Sequence, residues 1–353
     1  MGNYIEKIYN DDKKDGKQLL GEGKFGKVYL DLNTKKVTKY VKITKDEIVM
    51  PEIRSVNSQG WNELVVLNKL NSICSYEESL YFQELVGYSV GHSNGKFAKV
   101  MNLNEVDVEL LMYARELNNS AWVLEIVTEN AGRKPILDNF NSMSLADKLY
   151  LLWEMIQILI VLKKYQIVHN DVHIGNILMN ERVNVQSKLV LIDFGQAIVD
   201  NNKSLLENNS DLGQVISGLS GNGSELAQLF RSNKIALNPS HYQKVYKNIG
   251  NQDQNNEIKR VMKIVTGKDT PFEVDVEGVI VELGTNVIDN YVRLKYPEVF
   301  KKTIFKNEDV KLPKPLLPVE IILDFYENWG DSLEEHKERI FNRIQDLKMK
   351  EMK

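Results

Sequence analysis

Residues 167–178 read Ile-Val-His-Asn-Asp-Val-His-Ile-Gly-Asn-Ile-Leu, and residues 189–195 read Leu-Val-Leu-Ile-Asp-Phe-Gly. Each apolar run predicts a short buried strand that ends in a cluster of carboxylate, amide and glycine. Asn176 and Asp193 carry the hard oxygen ligands that Mg²⁺ prefers, and Asp171 is a candidate general base for a hydroxyl group. Carboxylates often follow buried strands, but the two clusters in this order favour metal-assisted phosphoryl transfer.

A second motif lies near the N-terminus, where the chain reads Leu-Leu-Gly-Glu-Gly-Lys-Phe-Gly-Lys-Val-Tyr-Leu. This G-x-G-x-x-G-x-V pattern consists of Gly21, Gly23, Gly26 and Val28. An alternating strand pattern follows it, whereas a dinucleotide-binding loop should open into a helix. The sequence therefore predicts a glycine-rich β-hairpin with Phe25 at its tip, whose backbone N–H groups can approach phosphates.

With these motifs the chain resembles the protein-kinase-like superfamily from Gly21 to about Asp211. The glycine loop, the His-x-Asp loop with its asparagine and the Asp-Phe-Gly triplet follow the order of that signature. The resemblance implies an α+β, bilobal fold, with a β-rich small lobe over residues 1–127 and a mostly helical large lobe over residues 128–353. It also implies ATP and Mg²⁺ as cofactors, and transfer of the ATP γ-phosphate to a hydroxyl group.

The superfamily uses a strand lysine that contacts the nucleotide phosphates and pairs with a glutamate on the next helix. Strand alternation places Lys39 on an apolar face, where a lone charge needs a partner, so we favour Lys39, with Val37 over the adenine. Lys42 has the more usual spacing from the glycine loop and is the alternative. Helical spacing makes Glu63 the preferred partner, because Glu52 fits a helix start better than a helix interior.

Residues 122–132 resemble the strand and hinge that join the two lobes of a kinase. By this resemblance, Leu124 would lie at the back of the adenine pocket. The backbone groups of Glu125 and Val127 would form hydrogen bonds with the edge of the adenine. Because these are backbone roles, the side-chain types add little support to the assignment.

Several residues depart from the kinase pattern, and these departures bear on regulation and on the substrate. Asn170 stands where regulated kinases have arginine, so we expect no activation by loop phosphorylation. His173 stands where Ser/Thr kinases have lysine, and would either contact the transferred phosphate or hold the loop from a buried position. The His-x-Asp-x-His-x-Gly-Asn pattern resembles haspin-type atypical kinases, and also aminoglycoside and choline kinases. Asp211 starts a predicted helix soon after Gly195, which implies a short activation segment, as in RIO-like kinases.

The composition of the chain limits the classes of protein to which it can belong. The chain has 353 residues, 42% of them hydrophobic, which is enough for the core of two lobes. Its net charge is −4 with both signs interspersed, so we predict no nucleic-acid partner. A single cysteine and the lack of a signal peptide or membrane-spanning run lead us to expect an intracellular protein that does not bind membranes.

These observations favour an atypical serine/threonine protein kinase that binds ATP and a protein substrate. A small-molecule phosphotransferase and a non-catalytic nucleotide-binding scaffold are the alternatives. Serines followed by an acidic residue predict helix starts at Ser144 and Ser332. Asn-rich stretches predict exposed loops at residues 200–210 and 250–256. One face of the last helix is predicted to carry Ile340, Phe341, Ile344 and Leu347.

Overall fold

The computed structural model describes most of the chain, namely residues 16–23, 26–49, 58–92, 98–99, 112, 122–132, 136, 140–180, 188–199, 210–221, 224–234, 250–266, 279–306 and 309–351. The chain divides into two compact units. The first unit takes in the described residues of Met1–Ile136, Val161–Asp171 and Gly175–Asn201, and the second takes in those of Leu137–Ile160, Val172–Ile174 and Asn202–Lys353. The predicted lobe boundary, between residues 127 and 128, stays a prediction.

The first unit is built on an antiparallel sheet in the order β1-β2-β3-β6-β4-β5. Its strands are β1 (Lys17–Gly23), β2 (Gly26–Asp31), β3 (Lys36–Ile43), β4 (Leu85–His92), β5 (Ala98–Lys99) and β6 (Trp122–Glu129). Between β3 and β4 the described residues form three helices, namely α1 (Lys45–Val49), α2 (Gln59–Ile73) and α3 (Tyr76–Ser79). A sheet in the N-terminal part followed by a mostly helical remainder confirms the predicted α+β class.

The glycine motif forms the predicted hairpin between β1 and β2, in which Gly23 pairs with Gly26. Gly26 is needed for the approach of β2 to β3, because a Cβ atom there would lie 2.1 Å from the carbonyl oxygen of Tyr40. No real Cβ atom tolerates that distance, so glycine lets the hairpin close against its neighbour. Phe25, the predicted tip residue, lies outside the described residues.

Helix α2 packs against the sheet through Trp61, Leu64 and Leu67, which are fully buried. Its first turn comes closest to the strands at Gly60. A Cβ atom at Gly60 would lie 2.8 Å from Cγ1 of Val41 on β3, so only glycine allows this separation. The close approach brings the next residues of the helix to the edge of β3, where the site described below is built.

Two short antiparallel ribbons follow the sheet in the first unit. One pairs β7 (Ile167–Val168) with β10 (Ile198–Val199), and the other pairs β8 (Ile177–Met179) with β9 (Leu189–Leu191). Ile177 lies opposite Leu191, and the N–H group of Ile192 donates to the carbonyl oxygen of Asn176 at 2.9 Å. The ribbon therefore brings Asn176 and the Asp193 segment to the same end.

Helices make up the described part of the second unit. They are α5 (Ser210–Leu219), α6 (Ser224–Ser232), α7 (Gln252–Thr266), α8 (Val279–Lys295), α9 (Pro297–Phe300), α10 (Val319–Glu327) and α11 (Leu333–Glu351), and most of a further helix, Leu145–Lys164, also belongs there. The core of this unit is apolar and includes Leu152, Val215, Ile216, Tyr291 and Phe325, each at most 2% exposed. Among the helices described in either unit, none has the length and apolar content needed to cross a membrane.

The predicted helix starts are confirmed. Ser144 accepts the N–H group of Asp147 at 3.1 Å, and Ser332 exchanges hydrogen bonds with Glu335 in a capping box. On α11, Ile340 and Ile344 are buried as predicted.

Two local predictions are wrong. Phe341 is 47% exposed, because it lies one position beyond the stripe of α11 that is buried. The loop predicted over residues 250–256 is instead the start of α7, where Asn251 and Gln254 exchange hydrogen bonds through their side chains. Asn caps helices as readily as it occupies loops, so composition alone misassigned this stretch. The other Asn-rich stretch, residues 200–210, lies outside the described residues except for Ser210.

Candidate functional site

The centre of the site is a three-way contact between side chains of β3, α2 and the turn after β9. Nζ of Lys39 lies 2.6 Å from Oε2 of Glu63 and 2.8 Å from Oδ1 of Asp193. The carboxylate of Glu63 is almost fully buried, whereas the Asp193 side chain is 44% exposed. One ammonium group therefore faces two carboxylates, one of which is still open to other ligands.

Electrostatics favour a charged Lys39. Burial alone would lower the pKa of this ammonium group, but Glu63 and Asp193 outweigh burial and raise it. Burial raises the pKa of Glu63, and Lys39 opposes that change. For Asp193, burial would raise the pKa, but Lys39 and His169 bring it below its usual value. Asp193 therefore stays ionised at neutral pH and can bind a cation.

A cleft of about 270 Å³ opens beside this cluster. Its lining combines a few charged groups with apolar side chains, the mixture typical of small-ligand sites. The described lining residues are Gly21, Glu22, Gly26, Val28, Val37, Lys39, Glu63, Gln83, Ile126, Thr128, Ile192 and Asp193. Several predicted site residues, from the glycine loop, from β3 and from the Asp-Phe-Gly triplet, thus share one cleft.

The glycine loop covers this cleft with backbone as well as side chains. A Cβ atom at Gly21 would meet nothing within 4 Å, so the space beside this backbone is open. Val28 of β2 lies directly opposite Lys39 of β3 in the ladder. Gly23 ends β1 at the turn of the hairpin. Open space beside a glycine backbone is what a phosphate group needs to approach the N–H groups.

The loop that follows β7 places Asp171 and Asn176. The side chain of Asn176 is buried, and its amide group donates to the carbonyl oxygen of Asp171 at 3.0 Å. The amide oxygen of Asn176 is then the atom able to bind a cation. Asn170, between His169 and Asp171, has a φ of 61°, a left-handed conformation that asparagine tolerates better than most residues.

His169 fixes the backbone on both sides of the site. Its Nδ1 accepts the N–H group of Asp171 at 3.3 Å, so the ring proton lies on Nε2, which donates to the carbonyl oxygen of Ile192 at 3.1 Å. The ring also lies against Phe194, with centroids 4.8 Å apart. The buried imidazole thus bonds the backbone of Asp171 and the backbone of Ile192, the residue before Asp193.

Asp193 itself has a left-handed backbone, with a φ of 64°. Such a conformation in a residue other than glycine persists only where the surroundings impose it. Phe194 provides much of that constraint, because it is fully buried and packs edge-on against Phe82 at 6.0 Å between centroids. The strained turn aims the carboxylate of Asp193 at Lys39.

Some predicted site residues are not brought to the cleft. Lys42 is exposed on β3 and does not join the cleft lining, so the alternation that favoured Lys39 was the better guide. Leu124 is fully buried near Gly60 and is not among the described residues that line the cleft, although it shares a face of β6 with Ile126 and Thr128, so its place at the back of an adenine pocket stays a prediction. Glu125 and Val127 belong to an interior strand, paired with β3 on one side and β4 on the other. Their backbone groups are used by the sheet and do not form a free hinge edge.

Several residues that shape the site were not singled out from the sequence. Thr128 and Ile126 line the cleft from β6, and a two-residue step along the strand from Leu124 could have indicated both. Gln83, just before β4, carried no sequence signal. Asn62 also carried none, although its side chain contacts the segment after Asp193.

His173 is exposed, which contradicts the hypothesis that it is a buried support of the loop. Asp211 lies in the first turn of α5, where it was expected. In the same helix, Gln214 accepts the N–H group of Val172 at 2.6 Å. Support for this backbone therefore comes at least in part from a residue that sequence analysis did not single out.

The sequence of the chain has little similarity to known proteins. No protein-family model matches the chain, and no curated protein matches it. Among solved structures, the chain is similar to the kinase PK-1 of Cydia pomonella granulovirus, with 14% sequence identity and a TM-score of 0.33. The match covers 56% of this chain and 57% of that kinase chain.

Proposed function

We propose that the chain is an ATP- and Mg²⁺-dependent phosphotransferase. The observation that carries the proposal is the contact of Lys39 with Glu63 and Asp193, 2.6 Å and 2.8 Å away, at the wall of a cleft covered by a glycine hairpin. Lysine fixed by a buried glutamate is a point charge suited to phosphate oxygens. A carboxylate held ionised beside it suits the metal that accompanies a nucleoside triphosphate.

In this proposal each residue has a separate task. Lys39 holds the α- and β-phosphates, and Glu63 keeps the ammonium group in place. Asp193 and Asn176 would hold Mg²⁺, since a carboxylate and an amide oxygen are ligands of the type that this ion prefers. When bound, the ion neutralises charge that develops on the phosphate oxygens during transfer.

Asp171 is the proposed general base. It would orient the acceptor hydroxyl group and receive its proton, while His169 keeps the backbone of this loop fixed through the N–H group of Asp171. The nucleobase would lie among the apolar side chains of Val28, Val37 and Ile192, which line the same cleft. Backbone N–H groups of the glycine hairpin would cover the phosphates.

For the acceptor we propose a serine or threonine of a protein substrate, which makes the chain an atypical, haspin- or RIO-like protein kinase. Asn170 in place of arginine and His173 in place of lysine support an atypical kinase over one that is activated by loop phosphorylation. The same pattern occurs in aminoglycoside and choline kinases, so a small-molecule acceptor is the second candidate. A scaffold that binds nucleotide without transfer is the third.

The test is transfer of labelled γ-phosphate from ATP and Mg²⁺, with the wild-type protein beside Asp193→Asn. The acceptors are the protein itself, basic proteins and a panel of small alcohols. Asparagine keeps the size of the side chain but removes the charge that would bind the metal, so transfer should fall roughly 1,000-fold. Asp46→Asn, an exposed aspartate of α1, is the matched control and should transfer like the wild type.

The outcomes separate the three candidates. Label on protein that disappears in Asp193→Asn supports a protein kinase. Label only on a small alcohol supports the second candidate, and ATP binding without transfer supports the scaffold. Equal transfer by the wild type and Asp193→Asn would contradict the proposed site.

A further inference from the structure

Asn62 lies next to Glu63 in the first turn of α2 and contacts the segment that follows Asp193. Its amide nitrogen donates to the carbonyl oxygen of Gly195 at 3.1 Å and to that of Phe194 at 3.5 Å, and it also bonds the carbonyl oxygen of Ala197. Three acceptors surround this group, so the NH₂ end of the amide must face them.

The carbonyl groups of Phe194 and Gly195 belong to a short helical turn, Phe194–Gln196, and Ala197 directly follows it. So short a turn cannot satisfy all of these carbonyl groups by itself. Gly195 of the same turn fits against Gln59, where an added Cβ atom would lie 3.2 Å from the Gln59 Cβ atom. The first turn of α2 therefore holds the turn after Asp193 at two neighbouring positions. One contact is polar and the other is steric.

The same helical turn also carries Glu63, which fixes Lys39. Because neighbouring residues of one helical turn move together, a shift of α2 that releases Lys39 would also release the carbonyl groups held by Asn62. We propose that Asn62 is a positioning residue that couples the Lys39–Glu63 ion pair to Asp193, so that the phosphate-binding and metal-binding groups assemble together. This inference rests on the proposed phosphotransferase function.

The other end of α2 offers a matched comparison. Asn71 donates to the carbonyl oxygen of Leu85 at 2.9 Å and accepts the N–H group of the same residue at 3.4 Å. It is thus an asparagine on the same helix that also bonds backbone groups of another segment. Its contacts involve β4 and none of the proposed catalytic groups.

The experiment compares Asn62→Ala with Asn71→Ala, and Asn62→Ser is added as a milder variant that keeps one donor. Two quantities are measured. The first is the hydrogen-exchange rate of residues 194–199 in the nucleotide-free protein, and the second is the Mg²⁺ concentration that gives half-maximal transfer. One lost hydrogen bond of about 1.4 kcal/mol changes the equilibrium constant between the held and the released turn about tenfold, and it lowers the competent fraction by the same factor where the held arrangement is the minor one without Mg²⁺.

For Asn62→Ala we therefore expect roughly tenfold faster exchange in residues 194–199 and a roughly tenfold higher half-maximal Mg²⁺ concentration. Saturating Mg²⁺ should restore kcat to near the wild-type value, and Asn62→Ser should be intermediate. Asn71→Ala should change neither quantity, although both alanine variants lower the melting temperature.

A purely structural role for Asn62 would lower the melting temperature and leave the Mg²⁺ dependence unchanged, which would overturn the inference. Unchanged exchange in residues 194–199 of a folded Asn62→Ala variant would also overturn it. A wild-type protein that transfers no phosphate would contradict the proposed function, whereas the exchange measurement needs no activity and tests the coupling by itself.

Discussion

Each unit of the molecule holds a buried cation, and the two cations have different surroundings. Lys39 of the first unit contacts two carboxylates and borders a cleft, with 19% of its side chain exposed. Arg293 of the second unit is 2% exposed and donates to the carbonyl oxygens of Ser220 and Pro313, at 2.6 Å and 2.8 Å, and to the side chain of Asn290. Lys39 therefore bonds two carboxylates, whereas these hydrogen bonds of Arg293 go to neutral oxygen atoms, with the carboxylate of Asp289 nearby.

The pKa values of Lys39 and Arg293 move in opposite directions because their neighbours differ. Both cations are penalised by burial, but nearby carboxylates raise the pKa of Lys39, whereas burial dominates at Arg293 and lowers its pKa. A carboxylate that remains half-exposed beside Lys39 can take a metal ion, but the carbonyl oxygens around Arg293 are already used. Burial of charge alone thus does not mark a functional site. What distinguishes the proposed site is the open cleft and a carboxylate that can still take a ligand.

The largest effect that tests this contrast should come from Lys39→Met. Methionine fills a similar volume but cannot hold phosphate, so transfer should fall roughly 100-fold or more. Initial rates with labelled ATP measure it. Lys42→Met, on the same strand, is the control and should transfer like the wild type. Equal losses in the two variants would show that the strand, and not this particular ammonium group, matters.

The same variant should also lose stability, because Glu63 would be left as a buried carboxylate without its cation. Since burial already raises the pKa of Glu63, the variant should become less stable as the pH rises above the usual range of that carboxyl group. The double variant Lys39→Met/Glu63→Gln should regain thermal stability but not transfer. Recovery of both would separate Lys39 from the chemistry.

Sequence reasoning identified much of this charged cluster in advance. Lys39 was favoured because strand alternation put a charge on an apolar face, and Glu63 because of its helical spacing from the leucines that follow. The first argument uses the cost of burying a charge and the second uses helical periodicity, and both can be read from a short segment. The α+β class followed from the same motifs through the resemblance that they carry.

The parts of the site that depend on register were not predictable in this way. Ile126 and Thr128 line the cleft beside Val37 and Lys39, and which residues of β6 lie opposite those of β3 is set by strand pairing that no single segment encodes. Asn62 was missed because its partners are backbone carbonyl groups 132 to 135 residues away. The Asn-rich start of α7 was missed because asparagine serves both loops and helix caps.

A smaller effect is expected from Arg293→Met in the second unit. The variant leaves the buried carbonyl oxygens of Ser220 and Pro313 without their donor, so the free energy of unfolding should fall by roughly 3 kcal/mol. Urea denaturation measures this change. The increase in melting temperature that ATP produces should stay the same, because Arg293 contributes nothing to the cleft.

Arg343→Met is the control for that variant, because Arg343 forms a more exposed ion pair with Asp324 at 3.3 Å. Pairs of this kind contribute less than about 1 kcal/mol, so this variant should unfold almost like the wild type. If Arg293→Met loses no more stability than Arg343→Met, the neutral oxygens around Arg293 do not hold it as tightly as the geometry implies.

The effect that is smallest at neutral pH concerns His336, which the second unit buries without charge. The ring is 1% exposed, stacks on Phe325 and accepts a hydrogen bond from Arg339 at Nδ1. Burial and then Arg339 lower its pKa to about 4, although Asp331, Asp324 and Glu335 lie near enough to oppose the shift. Where Lys39 of the first unit keeps its charge beside carboxylates, the buried ring of His336 stays neutral among charged neighbours.

The sign of the pH dependence follows from that pKa. Between about pH 4 and the usual value of 6.5, the unfolded chain binds a proton that the folded protein does not, so the stability contributed by His336 is lost as the pH falls through this window. Against His336→Phe, which keeps the stacking, the wild type should lose up to about 1.4 kcal/mol per pH unit. Urea unfolding of both proteins at several pH values measures the difference. Parallel curves would mean that the second unit can hold a buried charge as the first does, and the contrast between the two units would then rest on the cleft alone.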